Sequence, residues 1–179
     1  MSLIENLKNN QDLQNFFCSE CSENNISVNV SPIVTLDNLL IIKVDDYYNK
    51  SVVNPLPSPD CLIIQQCSDG NYNIYIVELK NIDSPQGFSL NNIVSKFITC
   101  LDDFMNNIFG VYFNETSINY NQIKLLFVSD PYAFKRFPNK QLNMKGHKLD
   151  ALMSIRIPKY FNHHLYIEHK LPDPIINPC

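Results

Sequence analysis

Two apolar runs constrain this chain more than any other feature: Pro59-Asp60-Cys61-Leu62-Ile63-Ile64-Gln65-Gln66 and Tyr72-Asn73-Ile74-Tyr75-Ile76-Val77-Glu78-Leu79-Lys80, joined by the polar residues 67–71. Both are rich in Ile, Val or Tyr. The Asp69-Gly70 pair between them tolerates positive φ, so the segment predicts a β-hairpin. Alternate residues of a strand share a face, which sends Glu78 and Lys80 one way and Val77 and Leu79 the other. Ile74 and Ile76 precede Glu78 on its own face. That face begins in the core and ends in charge, where an uncompensated ion would be costly.

The elements around the hairpin follow from periodicity. Leu3, Ile4, Leu7, Leu13, Phe16 and Phe17 recur at near-helical spacing behind Ser2, an N-cap candidate. Leu39 to Val44 reads as a strand ending in Asp45-Asp46, and residues 49–59, with Pro55, Pro57 and Pro59, as a loop delivering Asp60 to the next strand. Leu90, Ile93, Val94, Phe97, Ile98, Leu101, Phe104, Met105, Ile108 and Phe109 mark a helix of five turns, with Ser89 to cap its start and Gly110 its end. Its polar face offers Asn92 and Lys96. Residues 123–129 form a near-continuous apolar run, as expected of a strand covered on both faces. Beyond Pro131 the pattern predicts loops, a short helix near 148–155, a last strand at Leu165 to Glu168 and a Pro-rich tail from Leu171. The fold class expected is α/β, an α+β sandwich with a central mixed sheet flanked by helices. A chain of 179 residues predicts a single domain, with a core over about 1–130 and a basic extension over 131–179.

Composition excludes more than it selects. The longest aliphatic run is Leu39-Leu40-Ile41-Ile42 and the first ten residues lack a signal-peptide layout, so no membrane association and a cytoplasmic address are expected. Of the six cysteines only Cys18 and Cys21 have ligand-like spacing, and no second pair completes a zinc site; buried or incidental thiols are expected. Net charge is −4, unevenly spread: residues 1–130 hold six Lys and Arg against fifteen Asp and Glu, residues 131–179 eight against three. A basic C-terminal third beside an acidic site fits phosphate contact, and equally a solvated surface. His163, His164 and His169 cluster, but no Ser or Cys nucleophile stands in a recognisable setting beside them.

Pro59-Asp60, a spacer of seventeen residues and Glu78-Leu79-Lys80 resemble the signature of the PD-(D/E)XK nuclease superfamily, which includes many type II restriction endonucleases. The element order from Leu3 to Ser129 can be read as that family's core: helix, three antiparallel strands, helix, strand. The resemblance implies catalytic Asp60, Glu78 and Lys80, with Mg²⁺ (or Mn²⁺) held by Asp60, Glu78 and the carbonyl of Leu79. Two carboxylates are hard oxygen ligands and suit such an ion. Some members add an acidic residue from the first helix, for which Glu5, Glu20 and Glu23 are candidates, and one of Asp45 and Asp46 can also reach a metal. Phosphate contacts are expected from Lys96, Lys135, Arg136, Lys140, Lys145 and Lys148. The implied function is a Mg²⁺-dependent endonuclease on double-stranded DNA, a restriction enzyme acting as a homodimer. The alternative is a nuclease-like fold that has lost catalysis and binds nucleic acid or protein.

The motif makes a demand on the hairpin. An ideal two-residue Asp69-Gly70 turn sets Asp60 opposite Leu79, on the wrong face for a shared site with Glu78. An odd loop or a bulge between Cys61 and Val77, around residues 68–72, is therefore expected, and it brings Asp60 opposite Glu78 or Lys80.

Overall fold

The computed structural model describes residues 1–68, 70–82, 84–132 and 147–179. Helix α1 (Leu3–Lys8) opens on a capping box: the Ser2 hydroxyl accepts from the Glu5 amide at 3.2 Å, and the Glu5 carboxylate accepts from the Ser2 amide at 2.7 Å. The helix stops earlier than expected. The Asn10 side-chain oxygen takes the Asp12 amide at 2.8 Å, a local bond that competes with helix continuation, and a single 3-10 turn over Gln14–Phe16 then returns Phe16 to the core.

Three short strands follow where none was expected: β1 (Phe17–Cys18), β2 (Cys21–Glu23) and β3 (Ile26–Val30). β2 and β3 pair through a two-residue turn at Asn24 and Asn25, whose φ values of 47° and 65° suit asparagine. β4 (Leu39–Lys43) leads directly into α2 (Val44–Ser51). Asp45 and Asp46 therefore occupy a helical first turn, not a strand end. Unpaired amides there favour acidic side chains, and Asp46 also pairs with Lys50 one turn later at 3.0 Å.

β5 (Cys61–Ser68) and β6 (Asn71–Lys80) are the expected hairpin. Cys61 faces Val77 and Gln66 faces Tyr72, whereas Ser68 faces Asn71, so Cys67 is a bulge. This is the required irregularity, one residue ahead of the expected stretch. Continued past Cys61, the register sets Asp60 opposite Glu78. Gly70 holds φ +72°, and a Cβ there would come within 2.7 Å of the Ser117 carbonyl, so the turn needs glycine on two counts.

The long helix is interrupted. α3 (Leu90–Ile98) passes into a π-helix over Thr99–Ile108, then α4 (Gly110–Phe113). Ser89 takes the N-cap position without a side-chain capping bond, and Gly110 begins α4 and does not end the preceding helix. The wider turn ends with the Phe109 amide bonded to the Phe104 carbonyl, and it brings both rings to 5.4 Å from Tyr47. β7 (Asn119–Ser129), α5 (Lys148–Met153), β8 (Arg156–Tyr160), β9 (His163–Lys170) and β10 (Ile175–Ile176) complete the chain. The expected tail thus holds a strand, and β8 is an additional one.

The main sheet runs β1-β4-β5-β6-β7-β9-β8; β6 with β7 and β7 with β9 are parallel, the other pairs antiparallel. A second sheet runs β10-β3-β2. The class is α/β with a mixed sheet, as expected, and α1, β4-β5-β6, α3 and β7 occur in the anticipated order. Each sheet face has its own core. Leu40, Ile42, Leu62, Ile74, Ile76 and Phe127 pack against α1, α3 and the π-helix, while Ile41, Ile63, Tyr75, Val77, Leu79 and Val128 pack against Ile26, Val28 and Ile176 of the small sheet.

Four cysteines are paired, correcting the expectation of thiols. Cys21–Cys61 ties β2 to β5, and Cys67–Cys179 ties the bulge to the C-terminal residue, while Cys18 and Cys100 are free. Sequence spacing hid both pairs because the partners stand 40 and 112 residues apart. In the chain-entropy account each bond removes about 4–5 kcal/mol of unfolded-state freedom, a large share of the net stability of a domain. Denatured without reductant, the protein should present two thiols to a thiol reagent and six after reduction, and reduction should lower the melting temperature; six reactive thiols at the outset would refute the pairing.

Candidate functional site

The charged end of the hairpin opens into a cleft of about 520 Å³. Asp60 is set by two backbone contacts. Its carbonyl accepts the Val44 amide at 3.1 Å, joining the start of β5 to the start of α2, and its carboxylate accepts the Leu79 amide at 2.6 Å. Glu78 is 1% exposed, on the helix side of β6 behind Ile74 and Ile76. Its Oε1 accepts Lys96 Nζ of α3 at 2.7 Å, and its Oε2 is buried with no hydrogen-bond partner. Lys80, half-buried on the same face, lines the cleft and makes no ion pair among the described residues.

Burial raises the proton affinity of both carboxyls. For Asp60 the Glu78 charge adds to the rise; for Glu78 the Lys96 ammonium opposes it. The Lys96 ammonium, which burial alone would push down, is held above its usual range by Glu78. Asp60 therefore takes the proton of the pair more readily, and Lys96 favours the ionised form of Glu78 against its burial.

Two residues enter from elements that sequence periodicity did not reveal. Asp45, in the first turn of α2, lines the cleft with Oδ1 buried and unpartnered, and burial raises its pKa. Glu23, at the turn end of β2, lines it too and adds to the rise at Asp60. The Asn24 carbonyl beside it accepts from the Asn81 side chain at 2.9 Å, which ties the β2-β3 turn to the end of β6. The Asn24-Asn25 pair was the available signal for that turn.

The other candidates lie elsewhere. Glu5 caps α1, Glu20 accepts from the Ser22 hydroxyl, and Asp46 pairs with Lys50; none lines the cleft. Lys148 is bonded to the Phe88 carbonyl and sits 4.7 Å over the Phe88 ring. Lys135, Arg136, Lys140 and Lys145 lie outside the described residues. Among the described residues no three His, Cys, Asp or Glu side chains are gathered closely enough to hold a metal by themselves. The donors present are carboxylate oxygens, two of them, Asp45 Oδ1 and Glu78 Oε2, buried and unpartnered. Such a set fits a hard divalent cation that keeps several waters.

A carboxyl whose folded-state pKa is raised stabilises the fold fully below its unfolded value, near 4, and that contribution is lost as pH rises through the folded value. Without divalent ions the melting temperature should therefore fall as pH rises from about 4 through neutrality, and Asp60→Asn should flatten the slope and raise the melting temperature at neutral pH. An unchanged slope would show that Asp60 is not the group responsible.

Comparison of the chain with protein-family models, with curated proteins and with solved structures returned no match.

Proposed function

We propose that the chain is a metal-dependent endonuclease of the PD-(D/E)XK kind that hydrolyses phosphodiester bonds of double-stranded DNA, in its simplest form a restriction enzyme working as a homodimer. The observation that carries this reading is the register: the bulge at Cys67 brings Asp60 level with Glu78, with the Asp60 carboxylate fixed by the Leu79 amide and Glu78 Oε2 left without a partner.

Asp60, Glu78 and the Leu79 carbonyl are the groups that would hold Mg²⁺ or Mn²⁺. Such an ion, when bound, supplies Lewis acidity and a water of lowered pKa. The chain's own residues do the rest. The Leu79 amide orients the Asp60 carboxylate, and Lys96 binds Glu78 through Oε1 and favours its ionised form while Oε2 has no hydrogen-bond partner. Lys80, on the same face of β6, lines the cleft, where its ammonium would orient a water and favour its deprotonation. Lys96 and Lys148 already have protein partners, so phosphate contact falls chiefly to Lys135, Arg136, Lys140 and Lys145.

One observation favours a second reading, a binding module without catalysis. Lys96 at 2.7 Å already compensates the Glu78 charge with no metal required. As to compartment, no helix of the described residues is long and apolar enough to cross a membrane, while two disulfides favour an oxidising setting over the cytoplasm expected from sequence.

Incubation with unmethylated plasmid, with and without Mg²⁺, separates the two readings. Asp60→Asn, Glu78→Gln and Lys80→Ala should each lower metal-dependent cleavage by about a hundredfold or more with the circular dichroism spectrum retained. Undiminished cutting by Glu78→Gln would sink the catalytic assignment. Charge reversal at Lys135 and Arg136 should weaken DNA affinity and reduce the salt slope by about one for each phosphate no longer neutralised. Retained affinity and slope would remove these two residues from the interface.

A further inference from the structure

The small sheet packs on one part of one face of the main sheet. Its Ile26, Val28 and Ile176 pack on β4, β5, β6 and the apolar residues of β7, and among the described residues this cluster takes in none from β9 or β8. Register identifies what stands there. Lys124 pairs with Tyr75, Val128 with Lys170, and Tyr166 with Arg156, so Lys124, Tyr166, Lys170 and Arg156 project from one face of β7, β9 and β8. Lys124 and Lys170 line a cavity of about 340 Å³ whose wall includes the hydroxyl of Tyr75 and the amide of Gln122, bonded to each other at 3.0 Å. Further out Tyr166 is 50% exposed and Arg156 is exposed. The only acid among these residues of β9, Glu168, is paired with Lys170 at 3.0 Å. The surroundings are cationic enough to hold His164 below its usual range, chiefly through Lys159, and Arg156 Nη2 meets His164 Nδ1 at 2.7 Å.

We propose that this part of the face, from the cavity of Lys124 and Lys170 to Arg156 and Tyr166, binds single-stranded nucleic acid. Lysines and an arginine follow the phosphates, and Tyr166 stacks on a base. Strand rise sets the distance from His164 to Lys170 at about 20 Å, the span of several nucleotides. The half-exposed ring decides the class of partner. A duplex keeps its bases inside, and an acidic peptide needs charge alone, whereas unpaired bases use an aromatic face on a sheet. The choice of partner rests on the nucleic-acid reading of the cleft; the surface lies on the opposite side of the sheet from Glu78 and Lys80 and makes none of the cleft's contacts.

The test is fluorescence anisotropy of the Glu78→Gln protein, in chelator, with a labelled oligothymidine of about twelve nucleotides. Tyr166→Ala should weaken binding about tenfold. Arg156→Glu and Lys124→Glu should each weaken it by a similar factor and make the salt slope shallower by about 0.7. Lys8→Glu, an exposed change of the same charge on α1, should leave affinity as it was. Should Lys124→Glu disturb the fold, Lys124→Gln carries the same expectation with a smaller loss. Full affinity in Tyr166→Ala and Arg156→Glu overturns the proposal, as does a loss of duplex binding in Tyr166→Ala as large as the loss of single-strand binding, or equal competition by an oligoglutamate. Wild-type protein that fails to cut plasmid while these affinities hold leaves the surface standing and removes the hydrolytic reading.

Discussion

One extra residue at Cys67 decides the face on which Asp60 stands, and the character of the cleft depends on it. Side chains alternate along a strand, so a slip of one position would send Asp60 to the side of Val77 and Leu79, into the apolar layer under the small sheet. The bulge is held at several points. Gly70 fits under the Ser117 carbonyl, the Asn119 amide bonds to the Gly70 carbonyl at 2.7 Å, and Cys67 itself is bonded to Cys179. A turn at one end of the sheet thereby sets the chemistry at the other.

The small sheet covers the apolar layer, and it also reaches the cleft. Its β2 strand is bonded to β5 through Cys21–Cys61, one residue from Asp60, and the turn beyond β2 places Glu23 and Asn24 in the wall. Lys43 Nζ donates to the Ser22 carbonyl at 2.9 Å and Asn81 holds the Asn24 carbonyl. The wall is therefore assembled from both sides of the main sheet, helices on one and a disulfide-anchored hairpin on the other.

The central elements were legible because their signals are local. The alternation through Glu78 and Lys80, the Asp69-Gly70 turn and the apolar run at 123–129 each act within one element, and even the bulge followed from counting residues across a turn. What escaped the sequence was set by tertiary contact. Asp45 and Asp46 follow a strand without a break, and only packing of Val44, Tyr47 and Tyr48 shows that they begin a helix. The periodicity of Leu90 to Phe109 is as compatible with a π-helix as with an α-helix, and the aromatic cluster around Tyr47 selects the wider turn. Lys96 was legible as a polar helix residue near the site, but its partner was not, since Glu78 Oε1 is reached across the fold.

The cleft is expensive, which is the physical argument that it serves a purpose. Removing an ion from water costs several kcal/mol even after relaxation, and attraction between Lys96 and Glu78 does little more than offset that cost for the pair. For Asp60 the cost appears as a raised proton affinity, driven by burial and the neighbouring Glu78 and opposed by the hydrogen bond from the Leu79 amide, while the buried oxygens of Asp45 and Glu78 have no hydrogen-bond partner. Apolar residues of similar volume would serve the fold better at all three positions. The rest of the main sheet follows local rules closely, with polar groups such as Gln65, Asn73 and Tyr75 satisfied by one another. Among the described residues the buried carboxylates gather where the start of β5, the end of β6 and the first turn of α2 meet, a cluster that an ordinary strand terminus does not need.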